Sequence, residues 1–184
     1  LCQMNFSRDS NLFYITIPAS CLTMGDKGGN TMTIHKFKLR ADWPGERNGV
    51  GMIAAENLRT QISIPKEMDG PGIGTNPDEM LLGAAATCYI ITLAAMLERA
   101  KIQKESLEME SEAYVDVTNG VFTYQKIIHR PVLKLSSGIS LKEEEKAKRL
   151  MIKAEETCMI SKAVRGNVII ELSPLIEKST APEV

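Results

Sequence analysis

A long run of uncharged residues, 80–97, constrains the fold of this chain more than any other segment. It follows Asn76, Pro77, Asp78 and Glu79, an order typical of a helix start, because Asn is a favoured N-cap and Pro suits the first helical position. The run approaches the length of a membrane span, but its alanine and threonine content favours a helix of a soluble protein, with no membrane association. Burying such a helix on nearly all sides is difficult for about 150 structured residues alone, so we expect a second copy of the chain to cover part of it.

The segment before this helix predicts strands and a loop. Apolar and polar residues alternate over residues 33–42, which indicates a strand, and residues 43–49 are typical of a turn. A hairpin partner follows within residues 50–64. The glycine-rich residues 65–75 then predict a loop that leads into the helix.

The segment after the helix predicts a second strand pair. Residues 106–118 and 122–136 are joined at Asn119 and Gly120, a dipeptide favoured in hairpin turns. Pro131 lies inside the second strand and lacks a backbone N–H, so we expect that strand to lie at an edge or to break.

The C-terminal part predicts two helices and a final strand. Ser140 and Glu143 form a capping box that opens an amphipathic helix to about Thr157. A short helix ending at residues 165–166 follows, and residues 167–172 are typical of a strand. This order of elements predicts the α+β class.

The N-terminal part differs from the rest of the chain. Residues 1–31 show no sustained periodicity, and Met32 follows them as a potential native start. We therefore expect residues 1–31 to be a disordered or non-native extension and residues 32–184 to form one domain.

Composition excludes several classes of partner and cofactor. The 22 basic and 23 acidic residues nearly cancel, which leaves no electrostatic footprint for nucleic acid. Four scattered cysteines are too few for a secreted disulfide scaffold, and His35 and His129, predicted to be surface or half-buried residues, are too few to complete a zinc site. We expect a reducing, cytoplasmic compartment and no metal or bound cofactor.

Two lone cysteines carry the candidate chemistry. Cys88 lies inside the apolar run and Cys158 lies at the end of a later predicted helix, and neither belongs to a Cys-x-x-Cys pair. This arrangement favours a reactive thiol with a resolving partner. A free thiol is mostly protonated at neutral pH, so Cys88 needs a nearby cation, and Arg47, in a turn flanked by glycines, is a candidate.

Two carboxylates at the helix start differ in phase from Cys88. Asp78 lies about 80° around the helix from Cys88 and Glu79 about 180°, so Asp78 is nearer the face of the thiol. It is still about 15 Å away along the axis, and would act through an intervening arginine. Glu79 has a structural explanation as a capping residue.

Several segments, in this order, resemble the OsmC/Ohr family. They are GERNG at 45–49, ISIPKEM at 62–68, GTNPDEML at 74–81 with Cys88, CMIS at 158–161 and RGNV at 165–168. The resemblance spans residues 33–172. It implies an OsmC-like fold, with strands around a long buried central helix, in an intertwined homodimer whose two active sites lie at the interface.

The resemblance also implies a thiol-dependent peroxidase of organic, lipid-type hydroperoxides. By position, Cys88 is the peroxidatic cysteine, Cys158 the resolving cysteine, and Arg47 the residue that polarises thiolate and peroxide. Asp78 stands where the family usually has the glutamate that orients this arginine, and because Asp is shorter, Glu79 is an alternative. The implied reductant is an external dithiol such as a lipoyl group.

Two other functions remain open from the sequence. One is a family member without peroxidase activity that binds a small molecule as a dimer, which is motivated by Asp78 and by Met159, where the family commonly has proline. The other is a cysteine hydrolase that uses Cys88 with His129 as base.

Overall fold

The computed structural model describes residues 5–9, 12–16 and 33–179, and the chain divides into two compact units, residues 1–38 and 39–184. In the first unit, β1 (Asn5–Asp9) and β2 (Leu12–Thr16) form an antiparallel pair. Most of the predicted extension 1–31 lies outside the described residues, so its assignment stays a prediction.

A three-stranded antiparallel sheet opens the second unit. Its strands are β3 (Arg40–Asp42), β4 (Gly51–Ala54) and β5 (Arg59–Ile62). The predicted strand 33–42 is therefore wrong in length. Ile34 and Phe37, whose alternation suggested it, are 78% and 92% exposed, and alternation stabilises a strand only where one of its faces is buried. The predicted partner 50–64 contains both β4 and β5.

Local signals place the central helix as predicted. Helix α1 (Pro77–Arg99) has Asn76 as its N-cap, and the Asn76 side chain accepts from the Glu79 backbone N–H at 2.9 Å. The Glu79 carboxylate accepts from the Thr75 hydroxyl at 2.8 Å instead of bracing the cap backbone. A short 3-10 turn (Lys66–Met68) lies in the predicted loop before it.

Helix α1 buries one face in the single chain. Its buried residues recur every four positions and are Ala85, Tyr89, Leu93 and Leu97. The opposite stripe of Gly83, Thr87 and Ile91 is exposed, with Ile91 at 67%. In the single chain, 22% of the most apolar window of the helix is buried. The predicted burial on nearly all sides therefore needs a second copy of the chain, which stays a prediction. By length and composition alone, α1 is the one candidate membrane span among the described residues.

A long hairpin forms the main sheet against which α1 packs. It consists of β6 (Lys104–Thr118) and β7 (Val121–Leu135), joined by Asn119 and Gly120, whose positive φ angles of 54° and 76° suit the predicted turn. Two further strands, β8 (Ile169–Leu172) and β9 (Leu175–Lys178), pair in parallel with the other side of β7. Strand β9 was not predicted from the sequence.

The prediction that Pro131 marks an edge or a break is wrong, because β7 is an interior strand. The carbonyls of His129 and Leu135 accept from Ser173 and Ser179 on the β8 and β9 side. Pro131 is an even number of residues from both, so its backbone nitrogen points to the same side of β7. It faces the junction where β8 ends and β9 begins, and no N–H is needed there. Proline there removes no ladder hydrogen bond.

Two consecutive helices close the core. Helix α2 (Leu141–Thr157) begins with the predicted capping box of Ser140 and Glu143, and α3 (Met159–Val164) follows after the single residue Cys158. The core that joins α1, α2 and the sheet includes Tyr89, Leu93, Leu97, Ile102, Leu133, Leu135, Ala147, Met151 and Ala154. This packing sets α3 against α1 near the position of Cys88.

Candidate active site

Cys158 is fixed by the junction of two helices. It is the C-cap of α2 and the N-cap of α3, and it is fully buried. Its backbone N–H donates to the carbonyl of Ala154 at 2.9 Å, and its Sγ accepts from the Ser161 backbone N–H at 3.5 Å. The position of this sulfur is therefore set by backbone geometry on both sides.

The packing of α3 on α1 brings Cys88 to Cys158. The Cys88 side chain, half-buried on α1, lies beside the Cys158 thiol. The backbone N–H groups of Met159 and Ile160 and the Thr92 hydroxyl are the other polar groups that act on its sulfur. Two thiols far apart in the sequence thus share one site in a single chain.

The two thiols differ in acidity. Burial opposes ionisation of Cys88, but the hydrogen bonds from Cys158, Ile160, Met159 and Thr92 outweigh it and lower its pKa. Burial, together with the hydrogen bond to Cys88, raises the pKa of Cys158 despite opposing contacts from Ser161. Cys88 therefore ionises first. Cys158 stays protonated, and its S–H group stabilises the Cys88 thiolate. This asymmetry suits a nucleophile and its resolving partner.

The donors to Cys88 were not found from the sequence. We expected an arginine to lower this pKa, whereas the donors in the single chain are neutral groups. The N–H groups of Met159 and Ile160 become available because Cys158 caps α3, and Thr92 lies one helical turn after Cys88. No local signal indicated this cap, because cysteine is not among the favoured N-cap residues.

Arg47 lies elsewhere in the same chain. It occupies the predicted turn, is exposed, and donates to the carbonyls of Met68 at 2.7 Å and Asp69 at 3.3 Å. Within residues 33–179 it forms no salt bridge with Asp78 or Glu79. The 3-10 turn before α1 thus holds the guanidinium.

Arg47 and Asp78 nevertheless line one cavity. Its volume is about 460 Å³, and its other walls are mainly apolar, with Trp43, Ile62 and Phe122 among them. A second cavity of about 390 Å³ shares Asp78 and Phe122 with it and adds Glu79, Leu82 and Val115. A guanidinium and a carboxylate therefore border an apolar space of the size that a small organic ligand needs.

Tyr124 braces the carboxylate end of this region. Its hydroxyl donates to the backbone carbonyl of Asp78 at 3.3 Å. Burial, followed by the nearby Asp78 charge, raises the pKa of Tyr124 to about 12. The start of α1 is thereby tied to the hairpin.

His129 is buried, which corrects the prediction of a surface or half-buried residue. It points into the core because β7 is interior, its Nδ1 lies 2.8 Å from the Ser111 hydroxyl, and its ring stacks on Tyr89 with centroids 5.5 Å apart. Burial lowers its pKa. No hydrogen bond links it to Cys88 within the described ranges, so the hydrolase hypothesis lacks its base there. His35 is exposed, as predicted.

No metal cluster is present in the described part of the chain. No group of three or more His, Cys, Asp or Glu residues there could hold an ion. The donor chemistry of this site is that of two thiols and neutral hydrogen-bond donors.

Comparisons with known proteins give one consistent family. The model of the family described as OsmC-like protein matches residues 70–173. An uncharacterized protein, YmaD of Bacillus subtilis, is 61% identical over 146 residues, covering 79% of this chain and 97% of that protein. Peroxiredoxin OsmC of Escherichia coli is 26% identical over 144 residues, covering 76% and 96%. A crystal structure of an organic hydroperoxide resistance protein OsmC from Legionella pneumophila has a TM-score of 0.63 at 26% identity, covering 78% of this chain and 99% of that one.

Proposed function

The chain belongs to the OsmC-like protein family, and from this premise we propose that it is a thiol peroxidase that reduces organic hydroperoxides to alcohols. The observation that carries the proposal is the Cys88 and Cys158 pair, in which hydrogen bonds lower the pKa of one thiol and burial raises that of the other. Relatives named peroxiredoxin and organic hydroperoxide resistance protein support the same reaction class.

The proposed cycle uses only these two sulfurs and an external reductant. The Cys88 thiolate attacks the distal peroxide oxygen, the O–O bond breaks, and the alkoxide takes a proton and leaves as an alcohol. Cys88 is then a sulfenic acid, which Cys158 condenses with to give a disulfide and water. A dithiol reductant, such as a lipoyl group in a reducing cytoplasm, restores both thiols by exchange.

A homodimer completes the site in this proposal. Along α1, Asp78 lies about 15 Å from Cys88, so the Arg47 and Asp78 cavity of one chain is remote from the thiol of that chain. In a two-fold pair of antiparallel α1 helices, Asp78 of one copy comes beside Cys88 of the other when the helices cross midway, at position 83. The partner subunit's Arg47 can then approach the thiolate.

The residue at the proposed crossing suits a close approach of helices. Position 83 is glycine, it is exposed in the single chain, and a Cβ built there meets no atom within 4 Å. Thr87 and the 67% exposed Ile91 continue the same stripe of α1. A second copy would cover this apolar stripe, which one chain leaves open.

Peroxide consumption by thiol variants tests the proposed activity. We expect one equivalent of cumene hydroperoxide to lower the intact mass of the reduced protein by two hydrogen atoms, as disulfide formation requires. We also expect Cys88→Ser to abolish turnover with dihydrolipoamide, while the control Cys21→Ser, outside the family-matched residues, keeps it.

Three outcomes separate the alternatives. A Cys88→Ser protein that still consumes the peroxide contradicts the proposal. An unchanged mass and no turnover in the parent protein favour a dimeric small-molecule-binding protein. Hydrolysis of an activated ester that is lost in His129→Ala favours the hydrolase.

A further inference from the structure

Ser161 is a buried residue that the cycle above leaves unexplained. It is the third residue of α3 and is 1% exposed. Its hydroxyl oxygen has no hydrogen-bond partner among residues 33–179. Buried hydroxyls are nearly always hydrogen-bonded in folded proteins, so an unpaired one calls for an explanation.

The polar atom beside Ser161 is the sulfur of Cys158. The Ser161 backbone N–H donates to this sulfur at 3.5 Å, as expected for the third residue after a helix cap. The hydroxyl of the same residue is close enough to this sulfur that it lowers the pKa of Cys158 together with the backbone N–H. One residue therefore places two potential donors beside the resolving thiol.

These contacts do not ionise Cys158 at rest. Burial and the hydrogen bond that Cys158 donates to Cys88 keep its proton in place. That bond disappears once Cys88 is oxidised, because the Cys88 sulfur is then no longer an anionic acceptor. The Ser161 hydroxyl can rotate, so it can follow the charge on Cys158 when that charge develops.

We propose that Ser161 is a positioning residue for the resolving step, in which its hydroxyl donates to the Cys158 sulfur as this sulfur attacks the Cys88 sulfenic acid. The inference rests on the proposed peroxidase cycle. In this step the S–H bond of Cys158 and the S–O bond of Cys88 break, the S–S bond forms, and the proton leaves with the hydroxide as water. The Cys158 sulfur is oxidised and the Cys88 sulfur is reduced.

Separate rates for the two steps test the inference. Ser161→Ala is compared with Thr157→Ala, whose hydroxyl lies next to Cys158 in sequence but donates to the carbonyl of Lys153 at 2.7 Å. Peroxide loss reports sulfenic acid formation, and intact mass after rapid quenching reports disulfide formation. We expect disulfide formation to slow about tenfold or more in Ser161→Ala, the usual effect of losing a hydrogen bond to a charged group. Sulfenic acid formation stays within about twofold, and Thr157→Ala leaves both rates unchanged.

A titration without peroxide separates this inference from the proposed function. Thiolate absorbance is followed across pH in Cys88→Ser and in the double variant Cys88→Ser, Cys158→Ser. The difference between the two curves is the titration of the Cys158 thiol. We expect the further change Ser161→Ala to raise the pKa of Cys158 by about one unit, and Thr157→Ala to leave it in place.

Unchanged disulfide formation and an unchanged Cys158 titration in Ser161→Ala overturn the inference. If the parent protein forms no sulfenic acid, the proposed function fails, and the titration still decides the role of Ser161.

Discussion

Replacing Cys158 by alanine removes one of the donors that surround the Cys88 sulfur, and we expect the pKa of Cys88 to rise. The other donors, the N–H groups of Met159 and Ile160 and the Thr92 hydroxyl, stay in place. A hydrogen bond to a charged group is worth about 1.5–3 kcal/mol when buried, and Cys88 is only half-buried, so we take about 1 kcal/mol. This corresponds to roughly 0.7 of a pKa unit.

Serine at position 158 is the matched control, because its hydroxyl can donate to the same sulfur while it is no longer a thiol. The assay is the rate of Cys88 alkylation by iodoacetamide across pH, which follows the thiolate fraction. We expect the midpoint to move upward in Cys158→Ala, and to stay near the parent value in Cys158→Ser. An unchanged midpoint in Cys158→Ala would refute the view that the Cys158 thiol stabilises the Cys88 thiolate.

Three further predictions concern the assembly, the core and the guanidinium. Gly83→Leu should leave the single chain folded, since a Cβ there meets nothing within 4 Å, but should dissociate the proposed dimer in sedimentation velocity; a dimer that persists argues against a crossing at this position. Because burial lowers the pKa of His129, its unfolded state binds the proton more readily, so this residue's contribution to stability is full above about pH 6.5 and is lost as the pH falls toward the folded pKa. The urea midpoint of unfolding should fall as the pH falls below about 6.5, and His129→Leu should weaken this pH dependence. An equal pH dependence in the two proteins would contradict the reasoning. Arg47→Met should slow peroxide reduction about tenfold or more without changing the melting temperature, whereas the equally exposed Arg59→Met should have no effect, and equal rates in the two variants would remove Arg47 from the site.

The parts of the fold that local chemistry determines could be predicted from the sequence. Asn76 and Pro77 mark the start of α1, Asn119 and Gly120 make the hairpin turn, and Ser140 opens α2 with its capping box. Each signal acts within about four residues, so it holds whatever the rest of the chain does.

The failures all depend on distant partners. The alternation at residues 33–42 predicts a longer strand than the structure has, because alternation stabilises a strand only where another surface buries one face. Pro131 and His129 were placed near the surface because the pairing of β8 and β9 with β7 was not foreseen.

The candidate site also has a part that could be predicted from the sequence and a part that could not. The pairing of Cys88 with Cys158 came from two lone thiols and from the family resemblance, which spans distant segments. The donors from Met159, Ile160 and Thr92 depend on how α3 packs on α1, and no local pattern records that packing.

The central claim is that Cys88 reacts with peroxide and Cys158 resolves it, and peptide mapping of the peroxide-treated protein tests this most directly. After one equivalent of cumene hydroperoxide, without reductant, we predict that the oxidised protein yields a disulfide-linked peptide pair that contains Cys88 and Cys158. Recovery of Cys158 as a free thiol, with Cys88 either unmodified or oxidised to sulfinic acid, would contradict the account.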